Sequence, residues 1–312
     1  MFTKLELEVV EILRCSFCKG ELTRTGQGFR CGDCGLNYPR CEVDTGEGLE
    51  PVFDFRIHHP AYCLPAGMTD WQTAQAAFEQ HSAAEAERDC FEDYVAEAES
   101  VREIYTREFH LEGRILDVGG HQGRLRHFLR EDVGLYVALD PFLDAFAGIA
   151  RQPQLLKAYP CLREPCNFLA AQAEYLPFVA RAFDWVHMRS CLDHFADPAL
   201  AMREAYRVLR PGGSVMIGLL IMKQKERELR EEWERRQPVW RRIVKRALGT
   251  RVLEWKRSVQ SRLGLGRRDD HMFRLTRDNL LDLLGRSGFR VTKEHWQKPP
   301  YSSVLYLAAS KA

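Results

Sequence analysis

The sequence predicts an α/β fold built on a doubly wound, mostly parallel sheet, with a small cysteine-rich module before it. Three observations support this prediction. Apolar strand-like segments alternate with helix-like segments from residue 113 to 221 and again from 271 to 312. One of these strands ends in a glycine-rich turn, and two Cys-x-x-Cys pairs lie near the N-terminus. Alternation at this spacing implies parallel strands whose crossover helices cover both faces of the sheet.

The glycine-rich turn lies in the segment Arg114-Ile-Leu-Asp-Val-Gly-Gly-His-Gln-Gly123. Ile115, Leu116 and Val118 predict a buried strand, and residues 124–130 have the apolar spacing of a helix. Because glycine has no Cβ, such a turn lets the backbone approach a bound molecule closely. We therefore expect a ligand at this turn.

Further strands and helices follow in regular order. The predicted elements are a strand Leu135–Leu139 ending in Asp140, a strand and polar turn within 166–178, a strand Ala182–Met188, a helix Pro198–Leu209, a turn at 210–213, a strand Ser214–Ile221, a helix Arg277–Ser287 and a closing hairpin. In such a sheet, ligands bind at the carboxyl ends of the strands, where an acid can hold ribose hydroxyls. Asp140 is the candidate for that role.

With this order, residues 113–221 and 271–312 resemble a class I S-adenosylmethionine-dependent methyltransferase, which has a Rossmann-like sheet. The resemblance implies that S-adenosylmethionine is the cofactor. It assigns cofactor-binding roles to Asp117 near the methionine amino group, Gly119, Gly120 and Gly123 in the turn, Asp140 at the ribose, Gln172 at the adenine amino group, and Ala173 and Glu174 beside the adenine ring. His121 stands where the family has its middle glycine. The alternative cofactor, a nicotinamide dinucleotide, requires Gly-x-Gly-x-x-Gly, which Gly-Gly-His-Gln-Gly does not fit.

Four cysteines near the N-terminus have the spacing of a zinc site. The pairs Cys15/Cys18 and Cys31/Cys34 would bring four thiolates into the tetrahedron that structural zinc prefers, leaving no open position for catalysis. Disulfides or a cluster of reduced thiols are the alternatives. The first 55 residues are similar to the small zinc-ribbon proteins that activate RNA and protein methyltransferases, which implies that the ribbon covers apolar surface of its own catalytic domain. Some ribosomal RNA methyltransferases also carry an N-terminal zinc module, so an RNA substrate stays open.

Charge is distributed unevenly along the chain. The net charge is +1, which argues against a general polyanion binder, but the block Lys223–Arg268 holds sixteen Lys or Arg against six Asp or Glu. Leu248, Val252, Trp255 and two further apolar residues share one helical face of this block. Such a helix packs on the core, lies on an anionic membrane surface or faces a phosphate-bearing substrate. The scarcity of stacking aromatics disfavours nucleic acid.

Methyl transfer from a sulfonium requires alignment of the acceptor and, for a hydroxyl, removal of its proton. Three residues are the catalytic candidates: Arg189 to hold an anionic acceptor, and His194 and His271 as general bases. Each histidine has an ordinary structural alternative as a helix-start or surface-loop residue.

We expect the chain to divide into a zinc ribbon (1–56), a linker and N-terminal helical cap (57–110), a methyltransferase domain (111–221 and 270–312) and a basic helical insertion (222–269) that forms a lid. The expected function is methyl transfer to an oxygen or nitrogen of a small or carrier-linked molecule, such as a sugar or lipid. An RNA methyltransferase and a non-catalytic partner-binding protein are the alternatives. The start of the chain lacks the charge layout of a signal peptide, and the longest apolar run, Val215–Met222, is too short to cross a bilayer. We therefore expect a cytoplasmic protein, which the basic block could bring to a membrane surface. The sequence gives no indication of an oligomeric state.

Overall fold

A computed structural model describes residues 1–57, 71, 75–76, 78–80, 90–222, 272–297 and 303–311. The predicted basic insertion, apart from Met222, and His271 lie outside these residues. Within them, twelve strands join in one mixed sheet. The strands are β1 (Thr3–Lys4), β2 (Leu22–Thr25), β3 (Gly28–Cys31), β4 (Asn37–Asp44), β5 (Leu49–Asp54), β6 (Gly113–Val118), β7 (Val133–Asp140), β8 (Cys166–Ala170), β9 (Phe183–Arg189), β10 (Leu209–Leu220), β11 (Phe289–Trp296) and β12 (Val304–Lys311).

The centre of the sheet is parallel and has the strand order β8-β7-β6-β9-β10. Strands β12 and β11 continue it antiparallel at one edge. β7 and β8 are buried along nearly their whole length, as expected for strands covered on both faces. The predicted Rossmann-like α/β fold class is confirmed.

The described helices are α1 (Leu7–Ile12), α2 (Phe91–Glu103), α3 (Pro153–Ala158), α4 (Pro198–Val208) and α5 (Arg277–Arg286). α2 continues into a π-helical segment, Ile104–Glu108. The carboxylate of Asp197 accepts a hydrogen bond from the Leu200 N–H at 2.9 Å, and Pro198 takes the first position of α4, which explains why that helix begins where the sequence predicted.

The helix predicted at 124–130 is wrong in its extent. Only a 3₁₀ segment, Arg124–Phe128, forms there, and Leu129 is already extended. Nine residues separate Gly123 from the start of β7, which leaves little chain for a helix. The sheet face beside this segment is covered instead by the π-helical segment, whose Tyr105 ring stacks on Phe128 with centroids 5.2 Å apart. The predicted turn at 210–213 also differs, because it lies inside β10 as a register shift between Leu209 and Ser214.

The N-terminal module is joined to the main sheet. β2, β3, β4 and β5 pair antiparallel in that order, and β5 then pairs parallel with β8. Leu13, Phe29 and Phe55 belong to the same apolar core as Leu176 and Phe178. The module and the parallel sheet therefore share one hydrophobic core, and the predicted boundary at residue 56 stays a prediction. Within the described ranges, no helix combines the length and apolar character that a membrane crossing requires.

Candidate active site

A cleft opens at the carboxyl ends of the parallel strands. Loops after four strands, β6, β7, β8 and β9, line it, together with residues that precede α2. The lining residues are Val118, Gly119, Leu139, Asp140, Pro141, Gln172, Ala173, Glu174, Ser190, Cys191, His194, Phe195, Trp71, Gln75 and Phe78. Five predicted cofactor residues are thus in one wall, and residues from the predicted N-terminal cap close it.

The glycine turn after β6 is held tightly against its neighbours. The N–H groups of Gly119 and Gly120 both donate to the Leu139 carbonyl, at 2.8 and 3.2 Å. Gly119 has φ of +69°, and a Cβ added to it would lie 2.6 Å from the Cys191 Cβ. A Cβ on Gly120 would lie 2.8 Å from the Asp117 carboxylate. Both positions therefore require glycine because of their neighbours in the fold, and the cofactor-binding roles of Gly119, Gly120 and Gly123 stay predictions.

His121 adopts the left-handed conformation that the turn needs, with φ of +46°. Its N–H donates to Asp140 Oδ2 at 3.1 Å, and its ring lies 5.6 Å from that of Phe142. Burial, with the Arg124 guanidinium nearby, lowers the pKa of His121 to about 4. The ring is therefore neutral at neutral pH, and the turn forms with histidine at the family's glycine position.

Asp140 ends β7 and faces the cleft with 5 % of its surface exposed. Its carboxylate accepts hydrogen bonds from the N–H groups of His121 and Phe142, the latter at 2.9 Å. Burial raises the pKa of Asp140 to about 6, and these two donors oppose the shift. The carboxylate is thus fixed in place, with lone pairs left to accept hydrogen bonds from a diol.

The loop after β8 carries the predicted adenine-binding residues. Gln172 Oε1 accepts a hydrogen bond at 3.0 Å from the N–H of Ile57, which follows β5. Glu174 Oε1 accepts from the N–H groups of Ala196 and Asp197, at 2.8 and 3.1 Å, just before α4. Burial raises the pKa of Glu174. Glu174 therefore ties two loops of the cleft together, and the contacts of Gln172, Ala173 and Glu174 with adenine stay predictions.

Asp117 and its partners form a buried network under the glycine turn. One carboxylate oxygen accepts a short hydrogen bond from the Tyr136 hydroxyl, and the other lies 2.7 Å from His187 Nδ1. His187 Nε2 in turn lies 2.8 Å from the Tyr105 hydroxyl. Asp117 is not among the described residues that line the cleft, so its role near the methionine amino group stays a prediction.

Sequence analysis did not single out this network. Asp117 and His187 are register partners on the adjacent strands β6 and β9. The available signal was a histidine inside an otherwise apolar strand, beside a strand that carries an aspartate. A buried histidine of this kind needs a partner for each ring nitrogen.

The predicted catalytic residues separate into three groups. His194 lines the cleft, and its ring lies 5.5 Å from that of Phe78. Arg189 ends β9 beside the cleft, with Nη1 3.6 Å from Glu97 Oε1. His271 lies outside the described residues, where the chain resumes at Met272, whose N–H donates to the Asp193 carbonyl at 2.8 Å. Their catalytic roles stay predictions.

The four N-terminal cysteines form a candidate metal centre. The sulfur atoms of Cys15 and Cys34 lie 3.5 Å apart, those of Cys18 and Cys31 lie 3.4 Å apart, and all four fall within 4.8 Å of one another. Disulfide bonds need about 2.0 Å, so these thiols are not paired. A tetrahedral zinc with bonds of about 2.3 Å needs sulfur separations of roughly 3.8 Å. The donor set therefore fits a structural zinc. The rings of Tyr38 and Phe55 stack on each other beside the cysteines, with centroids 4.6 Å apart.

Hydrogen bonds link the four-cysteine cluster to the loop after β8, which lines the cleft. The Ser16 hydroxyl, between the first two cysteines, donates to the Phe55 carbonyl at 2.8 Å. The Phe55 N–H donates to the Ala170 carbonyl at 2.7 Å, and Ile57 then reaches Gln172. Lys19 Nζ lies 2.6 Å from Glu204 on α4. A continuous set of hydrogen bonds thus joins the cysteines to the loop after β8.

Residues 116–217 match the model of a family described as a methyltransferase domain. The match covers 102 of the 312 residues, and this stretch is similar to a methyltransferase domain. The matched residues contain β7, β8 and β9, the second half of β6, and the loops after these four strands that line the cleft. Trp71, Gln75 and Phe78 also line the cleft and lie outside the match.

Curated relatives match about a third of the chain. Over 111 residues the chain is 31 % identical to the ubiquinone/menaquinone biosynthesis C-methyltransferase UbiE of Vibrio cholerae, covering 33 % of this chain and 40 % of that protein. Over 105 residues it is 35 % identical to the demethylmenaquinone methyltransferase of Thermus thermophilus, covering 33 % of this chain and 46 % of that protein. The chain thus spans less than half the length of these relatives.

A solved structure gives a broader but more distant match. It is the 1,6-didemethyltoxoflavin-N1-methyltransferase of Burkholderia thailandensis with bound 1,6-didemethyltoxoflavin and S-adenosylhomocysteine, at 15 % identity and a TM-score of 0.47. The match covers 83 % of this chain and 94 % of that one.

Proposed function

We propose that this protein is an S-adenosylmethionine-dependent methyltransferase whose donor binds in the cleft. The observation that carries the proposal is the convergence of the loops after β6, β7, β8 and β9 on one cleft, within the recognised methyltransferase domain. The adenosine would lie across Asp140 and Gln172, with Asp140 accepting hydrogen bonds from the ribose hydroxyls.

When bound, the donor supplies an activated methyl group. The carbon–sulfur bond of this group breaks and its electron pair stays on sulfur, while a lone pair of the acceptor forms the new bond to carbon. The residues of the chain then orient the reactants and exclude water. Trp71 and Phe78 close the cleft from the N-terminal side, and the glycine turn fixes its floor. His194, in the same wall, would accept the proton that a hydroxyl or amine acceptor loses.

We infer that the acceptor atom is an oxygen or nitrogen of a small or carrier-linked molecule, such as a sugar or lipid intermediate. A base in the wall, His194, supports this assignment, because oxygen and nitrogen acceptors release a proton. A carbon acceptor is the second candidate, since the Vibrio cholerae relative is named as a ubiquinone/menaquinone biosynthesis C-methyltransferase.

We further propose that Cys15, Cys18, Cys31 and Cys34 hold one structural zinc. Four thiolates leave the metal no open position, so it would stabilise the module rather than act on substrate. Its place is beside Phe55, whose N–H donates to the chain at Ala170, two residues before Gln172. The zinc would therefore stabilise the loop after β8, which carries Gln172, through the contacts of Phe55.

Calorimetry with S-adenosylhomocysteine tests the cofactor assignment. We expect the wild-type protein to bind it and the Asp140→Ala variant to bind it at least about tenfold more weakly, because two hydrogen bonds to a charged acceptor are lost. Asp144→Asn, an exposed acid on the same loop, is the matched control and should bind normally. An absence of binding by the wild type would instead favour a non-catalytic protein that keeps the fold.

A further inference from the structure

Two arginines, Arg124 and Arg189, share one carboxylate, that of Glu97. Arg124 Nη1 lies 3.0 Å from Glu97 Oε2, and Arg189 Nη1 lies 3.6 Å from Glu97 Oε1. The three side chains come from separate parts of the fold: the segment after the glycine turn, the end of β9, and α2. We call Arg124 and Arg189 the arginine pair.

The arginine pair carries an excess of positive charge. One carboxylate faces two guanidinium groups, and the 3.6 Å contact with Arg189 is too long for a normal hydrogen bond. The Arg124 guanidinium also lies over the rings of Tyr94 and Tyr159, at 5.6 and 5.5 Å from their centroids, which orients it without neutralising it. The side chains of Arg124, Arg189 and Glu97 are 29, 30 and 35 % exposed, so a ligand can reach them.

Along the chain, the pair adjoins the loops after β6 and β9 that line the cleft, although neither arginine is among the described lining residues. Arg124 directly follows Gly123 of the turn, and Arg189 directly precedes Ser190 and Cys191, which line the cleft. Asp140 and Gln172 lie on the loops after β7 and β8, on the other side of β6 from β9. This step depends on the proposed function: with the adenosine across Asp140 and Gln172, the sulfonium and the acceptor extend toward β6 and β9.

We propose that the arginine pair binds an anionic group, a carboxylate or a phosphate, carried by the methyl acceptor. Guanidinium groups recognise both groups through paired hydrogen bonds. The charge balance favours the acceptor as the source. The donor brings a sulfonium cation to the same end of the cleft, so the excess charge of the pair opposes donor binding until an acceptor anion offsets it. The other possible source is the amino-acid carboxylate of the donor itself.

Phosphate binding to the cofactor-loaded protein tests this proposal. Inorganic phosphate is titrated, with ³¹P NMR detection, into the wild-type protein saturated with S-adenosylhomocysteine. We expect Arg124→Gln and Arg189→Gln each to weaken phosphate binding about tenfold, while the affinity for S-adenosylhomocysteine stays unchanged. Glu97→Gln, which removes the competing carboxylate, should strengthen phosphate binding. Arg189→Lys should retain part of it, because the charge remains and the fork is lost.

Arg210→Gln is the matched control. Arg210 is also ion-paired, 3.0 Å from Asp184, but lies at the start of β10, away from the cleft. It should bind phosphate like the wild type. The proposal is overturned if loaded wild-type protein does not bind phosphate, or if the Arg124 and Arg189 variants bind it equally well.

A second titration separates the two sources of the anion. Here the ligands are S-adenosylhomocysteine and its decarboxylated analogue. If Arg189→Gln weakens only the former, the pair holds the donor carboxylate and the proposal is wrong. If wild-type protein binds neither ligand, the proposed function itself fails.

Discussion

Replacing Gly119 by alanine tests why this position of the turn requires glycine: for its backbone conformation alone, or also because a side chain would collide with a neighbour. Gly119 lines the cleft with φ of +69°. A Cβ there would lie 2.6 Å from the Cβ of Cys191 and 3.0 Å from its sulfur. Cys191 is buried and cannot move aside easily, because its thiol donates a hydrogen bond to the Val118 carbonyl at 3.2 Å.

Two costs add in Gly119→Ala. The left-handed backbone conformation costs an L-residue roughly 1–2 kcal/mol. Forcing an extra methyl group into packed surroundings costs roughly another 1–3 kcal/mol. We therefore expect a total loss in the free energy of unfolding of about 2–5 kcal/mol. The turn must also shift to relieve the collision, so the affinity for S-adenosylhomocysteine should fall.

Gly148→Ala supplies the matched control. Gly148 has a similar φ, +64°, but nothing lies within 4 Å of the Cβ that alanine would add. This variant should lose only the conformational part, roughly 1–2 kcal/mol, and keep its ligand affinity. Urea unfolding and calorimetry on the three proteins measure both quantities. Equal losses for the two variants would mean that Cys191 moves aside and that the collision argument is wrong.

Three further predictions concern the buried network, the metal centre and Asp140. His187→Phe removes the histidine partner of one Asp117 oxygen and of the Tyr105 hydroxyl, while Tyr136 still donates to the other Asp117 oxygen. It should therefore cost about 2–4 kcal/mol of unfolding free energy, measured by urea unfolding. His187→Gln, which keeps one hydrogen bond, should cost less. Elemental analysis should find one zinc per chain in the wild type and little in Cys18→Ser. Stripping the metal should lower both the melting temperature and the affinity for S-adenosylhomocysteine. Unchanged values would contradict the zinc assignment. The folded-state pKa of Asp140, about 6, lies above its ordinary value of 3.8, so folding favours the protonated form. Its contribution to stability is therefore present below pH 4 and lost as the pH rises to 6, by about 3 kcal/mol. Asp140→Asn lacks this titration, so the stability difference between the variant and the wild type should change across that window, and a constant difference would refute it.

The strands of the sheet could be predicted because a local pattern in the sequence marks each of them. The segments around Ile115, Val137 and Val186 are rich in apolar residues, and each lies in a strand of the parallel centre. The glycine turn and the acid that ends β7 were equally visible, because both occupy fixed positions relative to a strand. The resulting cleft follows from the rule that parallel strands end at one rim.

The contacts across the fold could not be predicted in the same way. The hydrogen bonds among Tyr105, Asp117, Tyr136 and His187 join residues 19 to 82 positions apart in the sequence. Glu174 matched the family pattern as an adenine neighbour, yet its carboxylate binds the backbone before α4. Such pairings depend on strand order and register, which local patterns leave open. The helix predicted at 124–130 also could not be judged from local patterns. The face of the sheet that it would cover is covered by α2 and its π-helical extension.

The attachment of the cysteine module explains why its metal state should affect ligand affinity. A module tethered by a linker would contact the cleft weakly, and removing its metal would leave the cleft intact. Here β5 pairs with β8 through Phe53 and Asp54, and the next residues donate to Ala170 and Gln172. Loosening of the cysteine loops would free the Ser16 contact that holds Phe55, and the Gln172 side chain would then lose its bond to Ile57. Because this wall of the cleft is built from hydrogen bonds that begin at the module, loss of the metal should weaken cofactor binding before it unfolds the parallel sheet.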